Sequence, residues 1–251
     1  MNQKKSMLSA IIIAKNEEPR IKACIDALKF VDEVIVIDNN STDKTVQIAQ
    51  EQGALVTSLH DIDFAKLRNI AAEKVTSTWI LYIDADEIIS PELSKSIADA
   101  ISKNTYAGYE LFRKNYYLGS LWPSGEWMIR LIRKDALQGW HGRLHETASV
   151  KGPVGKLHGH LLHDTHRTLS EMVVKTNEWS QTEAALRYSI HHPPITWWRI
   201  VRVMFTGFWN SFFVQGGWKV GTVGWIESMY QGFSMFITYA KLWELQKKNY
   251  T

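Results

Sequence analysis

The chain has 251 residues, 45% apolar and 22% charged, with a single cysteine, which excludes global disorder, a disulfide scaffold and a cysteine-rich zinc module. No run of about 18 residues is free of charge, and Met1 to Ser9 lacks the apolar core of a signal peptide. A cytosolic globular protein is therefore expected, built as one large domain with or without an appendage. Residues 1–100 hold 11 Lys+Arg against 16 Asp+Glu, whereas residues 195–251 hold 6 against 2 and carry six of the 11 tryptophans, which suggests two surfaces with different partners.

Ser9 to Ala14 is a short β-branched run of the kind buried on both faces of a parallel sheet. After Lys15-Asn16-Glu17-Glu18-Pro19, the residues Ile21, Cys24, Ile25 and Leu28 follow helical spacing. Glu33 to Ile37 reads as a second strand. It ends at the capping-rich turn Asp38-Asn39-Asn40-Ser41-Thr42-Asp43, and Thr45 to Gln52 reads as helix. Leu55 to Leu59 is a weaker strand, Phe64 to Val75 a helix, and Trp79 to Ile83 a buried strand ending at Asp84-Ala85-Asp86-Glu87. Ser90-Pro91-Glu92 opens a helix with a cap, a proline at its first position and an acidic first turn; Leu93, Ile97 and Ile101 form its inner stripe. The alternation predicts an α/β fold with a doubly wound, mostly parallel sheet and flanking helices. Aromatic and basic strand-like pieces follow (Tyr109 to Arg113, Ile129 to Arg133), and from Leu169 the pattern is helical, broken at His191-His192-Pro193-Pro194.

In open α/β sheets the ligand site lies beyond the carboxyl ends of the strands. Asn16-Glu17, Asp38 and Asp84-Ala85-Asp86 all fall there, so three strand ends direct polar groups at one crevice. The neighbouring acids Asp84 and Asp86 repel one another unless a divalent cation sits between or beside them, and a diphosphate would supply the ligands that the protein lacks. Asp38 is positioned to accept hydrogen bonds from a ribose hydroxyl or a base; the same turn also reads as a simple helix start capped by Ser41 or Thr42. No Gly-x-Gly-x-x-Gly follows the first strand, which counts against a dinucleotide fingerprint.

The ordered runs Ile12-Ile13-Ala14-Lys15-Asn16-Glu17, Val36-Ile37-Asp38 through Thr45, and Tyr82-Ile83-Asp84-Ala85-Asp86-Glu87 resemble glycosyltransferase family 2, of GT-A fold. The likeness extends to the lipopolysaccharide-core β-glucosyltransferase branch at Phe64-Ala65-Lys66-x-Arg68-Asn69, Arg130 to Lys134, His145-Glu146, Leu162-His163, Gly216-Gly217…Gly221 and Tyr239 to Leu242, and covers about residues 8–245. It implies a GT-A catalytic domain over residues 1–168, with a nucleotide-sugar half (1–105) and an acceptor half (106–168), and a helical, Trp-rich extension over 169–251. It also implies a donor site at Ala14, Asn16, Glu17, Asp38, Arg68 and Asp84, with a divalent cation (Mn²⁺ or Mg²⁺) at Asp86 and His163.

The implied reaction moves a sugar, glucose in this branch, from a UDP-linked donor with inversion, which needs one general base to deprotonate the acceptor hydroxyl. Glu146 is the candidate base, with pairing to Arg143 or Arg133 as its structural alternative and Glu87 as a weaker contender. Arg68 would add a positive contact to the diphosphate; otherwise it is a surface helix arginine. His158, His160, His163 and His166, with Asp164, lack the cysteines or His-Glu-x-x-His spacing of a dedicated zinc site. The tail places Phe205, Phe208, Trp209 and Phe212 at helical spacing with Arg199, Arg202 and Lys219 at the margins, a composition suited to a membrane interface. A lid on the core or a homodimer face is the alternative. The expected partners are a nucleoside diphosphate sugar, a lipid-linked or lipopolysaccharide-core saccharide and the inner face of the cytoplasmic membrane, with no nucleic acid. The rival readings are nucleotidyl or phosphoryl transfer in the same cleft, and an inactive sugar-nucleotide-binding or membrane adaptor protein.

Overall fold

A computed structural model describes residues 8–59, 63–142 and 146–248. Its elements run β1 (Leu8–Ala14), α1 (Ile21–Asp26), β2 (Glu33–Asp38), α2 (Thr45–Glu51), β3 (Leu55–Ser58), α3 (Phe64–Lys74), β4 (Trp79–Asp84), β5 (Glu87–Ile89) and α4 (Pro91–Lys103). They continue with β6 (Gly108–Tyr117), β7 (Ser120–Arg133), β8 (Leu137–His141), β9 (Thr147–Val150), β10 (Val154–Lys156), β11 (Leu161–His166), α5 (Leu169–Ser189), α6 (Trp197–Trp209) and α7 (Gly221–Lys248).

The expected parallel sheet is present as β3-β2-β1-β4, every neighbouring pair of it parallel. Every residue of β1 is buried, because the strand is covered on both faces. Side chains alternate along a strand, so Leu8, Ala10, Ile12 and Ala14 enter one core with the inner faces of α1 and α4, while Ile11 and Ile13 enter a second core with α3. That alternation places helices on both sides of the sheet. Beyond β4 the order continues β7-β6-β11-β5, and β7 runs antiparallel to β4. The short strand β5 lies between the acidic turn and α4, where the sequence suggests a direct passage from turn to helix; it pairs antiparallel with β11. Ser90 caps α4 as expected, its side chain accepting from Leu93 N, and Asn104 closes that helix in the left-handed conformation.

The chain divides into two compact units. One runs to Lys114 and resumes over Glu126–His163; the other takes Asn115–Gly125 and the chain from Asp164 onward. In the second unit α5, α6 and α7 share a small core of Ala184, Ile195, Val203, Tyr239 and Leu242. The break at His191 to Pro194 separates α5 from α6. The aromatic tail is not one helix: α6 passes into a π-helical turn, Asn210–Val214, and then a 3₁₀ turn, Gly217–Val220, before α7. Among the described residues no helix is long and apolar enough to cross a membrane.

Candidate functional site

The parallel register aligns the strand ends. Ala14 lies opposite Asp38, and Ile13 lies opposite Asp84. The loops that follow β1 and β2 are tied together side by side. Asn16 N donates to Ser41 Oγ (2.9 Å), Thr42 N donates to Asn16 Oδ1 (2.8 Å), and Glu17 N donates to Thr45 Oγ1 (2.8 Å). Asn16 and Asn40 both take positive φ, a conformation asparagine tolerates better than most residues. Asp38 is buried and its Oδ1 accepts from Ser41 N at 3.1 Å, so the carboxylate organises its own turn. The Glu17 carboxylate pairs with Arg20 at 2.6 Å.

At the end of β4 the acids are neutralised by side chains from three other elements. Asp84 receives Arg68 Nη2 from α3 (2.7 Å) and Arg130 Nη2 from β7 (2.7 Å). Burial alone would raise the Asp84 carboxyl; the guanidinium groups of Arg130 and Arg68 outweigh it and hold the group well below the usual carboxylate range. Arg130 is the mirror case: burial favours losing its proton, but Asp84 and Glu87 keep it firmly protonated. Glu87, with 0% exposure, accepts from the Asp84 amide (2.9 Å) and from Arg113 (3.1 Å). Beneath this corner lies the buried Cys24, whose thiol is pushed up by burial first and then by Glu87, Asp86, Asp84 and Glu17.

Arg68 is not a surface arginine. It is 1% exposed, with its guanidinium carbon 4.8 Å from the Trp140 ring centre and 5.8 Å from that of Tyr82. It also binds Glu146, through Nη2 at 2.9 Å and Nε at 3.2 Å. The partner of Glu146 is therefore Arg68 and not Arg133, which pairs with Asp135. The other suggested partner, Arg143, and His145 of the same motif lie outside the described residues.

Asp86 Oδ2 stands 3.4 Å from His163 Nε2. The register of β5 with β11 brings them together, since His163 pairs with Glu87, the residue after Asp86. One carboxylate oxygen and one imidazole nitrogen suit a cation such as Mn²⁺ or Mg²⁺. A cation bound at about 2.1 Å holds adjacent ligands about 3 Å apart, so the pair fits as two neighbouring ligands with little movement. No cluster of three or more His, Cys, Asp or Glu suited to a metal occurs among the described residues. A cation here would take its remaining ligands from water or from a bound molecule.

Of the sequence candidates, Asp84, Arg68 and Glu146 form one hydrogen-bonded group, Asp86 and His163 form a pair one turn away, and Ala14 and Asp38 border the same strand ends. Arg130, Arg113 and Trp140 complete the corner without having been assigned a role. Arg130 left a readable signal: a charge inside the buried strand run Met128-Ile129-Arg130-Leu131-Ile132 must meet a counter-charge.

The family model described as glycosyl transferase family 2 matches residues 9–149. An uncharacterized glycosyltransferase of Rickettsia typhi is 29% identical, over 96% of this chain and 88% of the relative. The lipopolysaccharide core biosynthesis glycosyltransferase LpsC of Rhizobium meliloti is 27% identical, over 94% of this chain and 92% of its own. Among solved structures, glucosyl-3-phosphoglycerate synthase of Mycobacterium tuberculosis with Mn²⁺, UDP and phosphoglyceric acid aligns with a TM-score of 0.47 and 20% identity, over 73% of this chain and 78% of that one. The family match covers more than half of the chain, including the carboxyl ends of β1, β2 and β4, and the chain belongs to glycosyl transferase family 2.

Proposed function

We propose that this chain transfers a hexose, glucose in the preferred reading, from a UDP-linked donor to a lipid-linked or lipopolysaccharide-core saccharide, with inversion at the transferred carbon. The observation that carries the reading is the gathering of Asp38, Asp84, Asp86 and His163 at the carboxyl ends of the parallel strands in a family 2 chain. The resemblance to a lipopolysaccharide core enzyme supports the acceptor class.

In this reading residues 1–168 form the catalytic domain and residues 169–251 an appended helical part. Ala14, Asn16, Glu17 and Asp38 form the nucleoside end of the donor site, with Asp38 offering a buried carboxylate to a hydroxyl or a base N–H. Asp86 and His163 hold a divalent cation, which when bound supplies positive charge against the departing diphosphate. Arg68 and Arg130 fix Asp84 in one orientation, so that its oxygens meet the donor without rearrangement. Glu146 takes the proton of the acceptor hydroxyl, which suits a carboxylate that is held by Arg68 yet not sealed. Glu87 is sealed, with no exposure and two partners, and is unsuited to that role.

The helical unit supports a membrane-surface location. Trp197, Val201, Phe205, Trp209 and Phe213 repeat every four residues and are all exposed, from 47% to 78%. Trp225, Met229 and Phe233 of α7 are also exposed, and Phe208 and Phe212 pack against Trp225 between the two rows. The buried Phe212 and half-buried Phe208 show that the outward face differs from the 205/208/209/212 face suggested by spacing alone. Arg199 and Arg202 flank Trp198, and Lys219 flanks Trp218, the mixture of aromatic and basic groups that favours an anionic interface on the cytoplasmic side. The reading is tested by presenting UDP-sugars with Mn²⁺ or Mg²⁺ and scoring release of UDP. Release of pyrophosphate would transfer the site to nucleotidyl chemistry, and no turnover of any donor would favour a binding protein.

A further inference from the structure

The helical unit contains a recess of its own, formed within Asn115–Gly125 and the chain from Asp164 onward. It has a volume of ≈ 380 Å³, and its wall includes Tyr117, Thr206, Asn210, Gln215, Gln231 and Met235. Small-molecule sites commonly span about 300–1,000 Å³. No lining residue carries a formal charge, so an anion such as a phosphate finds no cation there.

The wall is held from behind by buried polar groups. Glu227, with 0% exposure, accepts from Gln231 Nε2 at 2.7 Å, and His166 Nδ1 lies 2.9 Å from both of its oxygens. The His166 ring stacks on Tyr117 at 4.8 Å. Trp122 Nε1 donates to Gln215 Oε1 at 3.2 Å, and the hydroxyls of Ser211 and Ser228 pair at 3.1 Å. These contacts orient the Gln215 and Gln231 amides but do not exhaust them. Among the described residues Gln215 Nε2, Gln231 Oε1 and the whole Asn210 side-chain amide form no hydrogen bond with the protein, and each belongs to the recess wall. The π-helical turn Asn210–Val214 borders the recess, and such turns recur at functional sites.

Neutral donors and acceptors beside an aromatic ring, pre-oriented by a buried layer, complement a ligand with many hydroxyls, no charge and apolar C–H faces. We propose that this recess binds a neutral sugar residue of a saccharide. The class of ligand is argued from the recess alone; identifying that saccharide as the acceptor rests on the transferase reading above.

The test uses the full chain and two probes, methyl β-glucoside and core oligosaccharide freed from its lipid by mild acid, with binding read by saturation-transfer NMR. Thr206 and Asn210 are exposed, so Thr206→Val with Asn210→Ala leaves the fold intact, and Thr206→Val alone serves as a second variant if the melting temperature falls. Binding of at least one probe is expected, weakened at least tenfold in the double variant, with UDP release from the donor in water unchanged. Absence of saturation transfer to both probes from folded protein would overturn the proposal, as would equal binding by wild type and both variants. Wild-type protein that binds saccharide but releases no UDP from any donor would instead sink the transferase reading and leave this one standing.

Discussion

Arg68 Nη2 lies 2.7 Å from Asp84 Oδ1, so an arginine in the middle of a helix and a carboxylate at the end of a strand neutralise each other inside the corner. The same nitrogen reaches Glu146 at 2.9 Å, which makes Arg68 the bridge between the strand-end acid and the candidate base. Removing it leaves Glu146 and the Trp140 indole face without their counterpart, and Asp84 with Arg130 and the more distant Arg113. Arg68→Met should destabilise the protein by about 3–5 kcal/mol, the usual penalty for breaking a buried pair from one side. Chemical denaturation followed by tryptophan fluorescence measures this. A loss below about 1 kcal/mol would mean that Asp84 and Glu146 are solvated without Arg68.

Asp84 also sets an acid limit. Its folded-state pKa is depressed, so its contribution to stability is present above the unfolded value of about 4 and is lost as pH falls below it towards the folded value. Between the two values the unfolded chain binds the extra proton, and stability rises with pH. Asp84→Asn should therefore flatten the acid limb of the stability profile below about pH 4. Melting temperatures from pH 2 to 6 would show this, and parallel profiles for both proteins would contradict it.

The Asp86–His163 pair predicts cation dependence. Asp86→Ala should lower donor turnover by at least about a hundredfold and abolish the thermal shift produced by Mn²⁺ with UDP, and His163→Ala should weaken both. Full turnover of the wild type in excess chelator would remove the cation from the reaction.

Glu146→Gln should preserve donor binding while lowering acceptor-dependent turnover by about 10²–10⁴-fold, the usual weight of a general base. Binding is followed by calorimetry with UDP and turnover by UDP release. Retained turnover would move the base to another residue.

For the exposed aromatic row, Phe205→Ser with Trp209→Ser should release the full chain from vesicles containing anionic lipid, and raised salt should weaken the wild-type interaction through Arg199, Arg202 and Lys219. Co-sedimentation decides this. Wild-type protein that stays in the supernatant at low salt, or that sediments equally with neutral vesicles at every salt concentration, would refute the role given to the row and its basic margin.

The succession of strands and helices in the first hundred residues was legible because its signals are local. A β-branched run such as Ile11-Ile12-Ile13 needs burial on both faces, Ser90-Pro91-Glu92 starts a helix through its own backbone groups, and a family 2 likeness is carried by short ordered motifs. Strand ends then mark where Asp38, Asp84 and Asp86 must emerge. The charge logic of the corner was not legible. From sequence alone, adjacent acids called for a cation, but the folded chain already answers Asp84 with Arg68 and Arg130, Glu87 with Arg113, and leaves Asp86 to His163. Each of those partners arrives through antiparallel pairing or helix packing between distant segments, which no local pattern encodes. The same holds in the helical unit: spacing identified amphipathic aromatic helices, but only packing decided that Phe212 turns inward and Phe213 outward, because the π-helical turn shifts the helix face where the two meet.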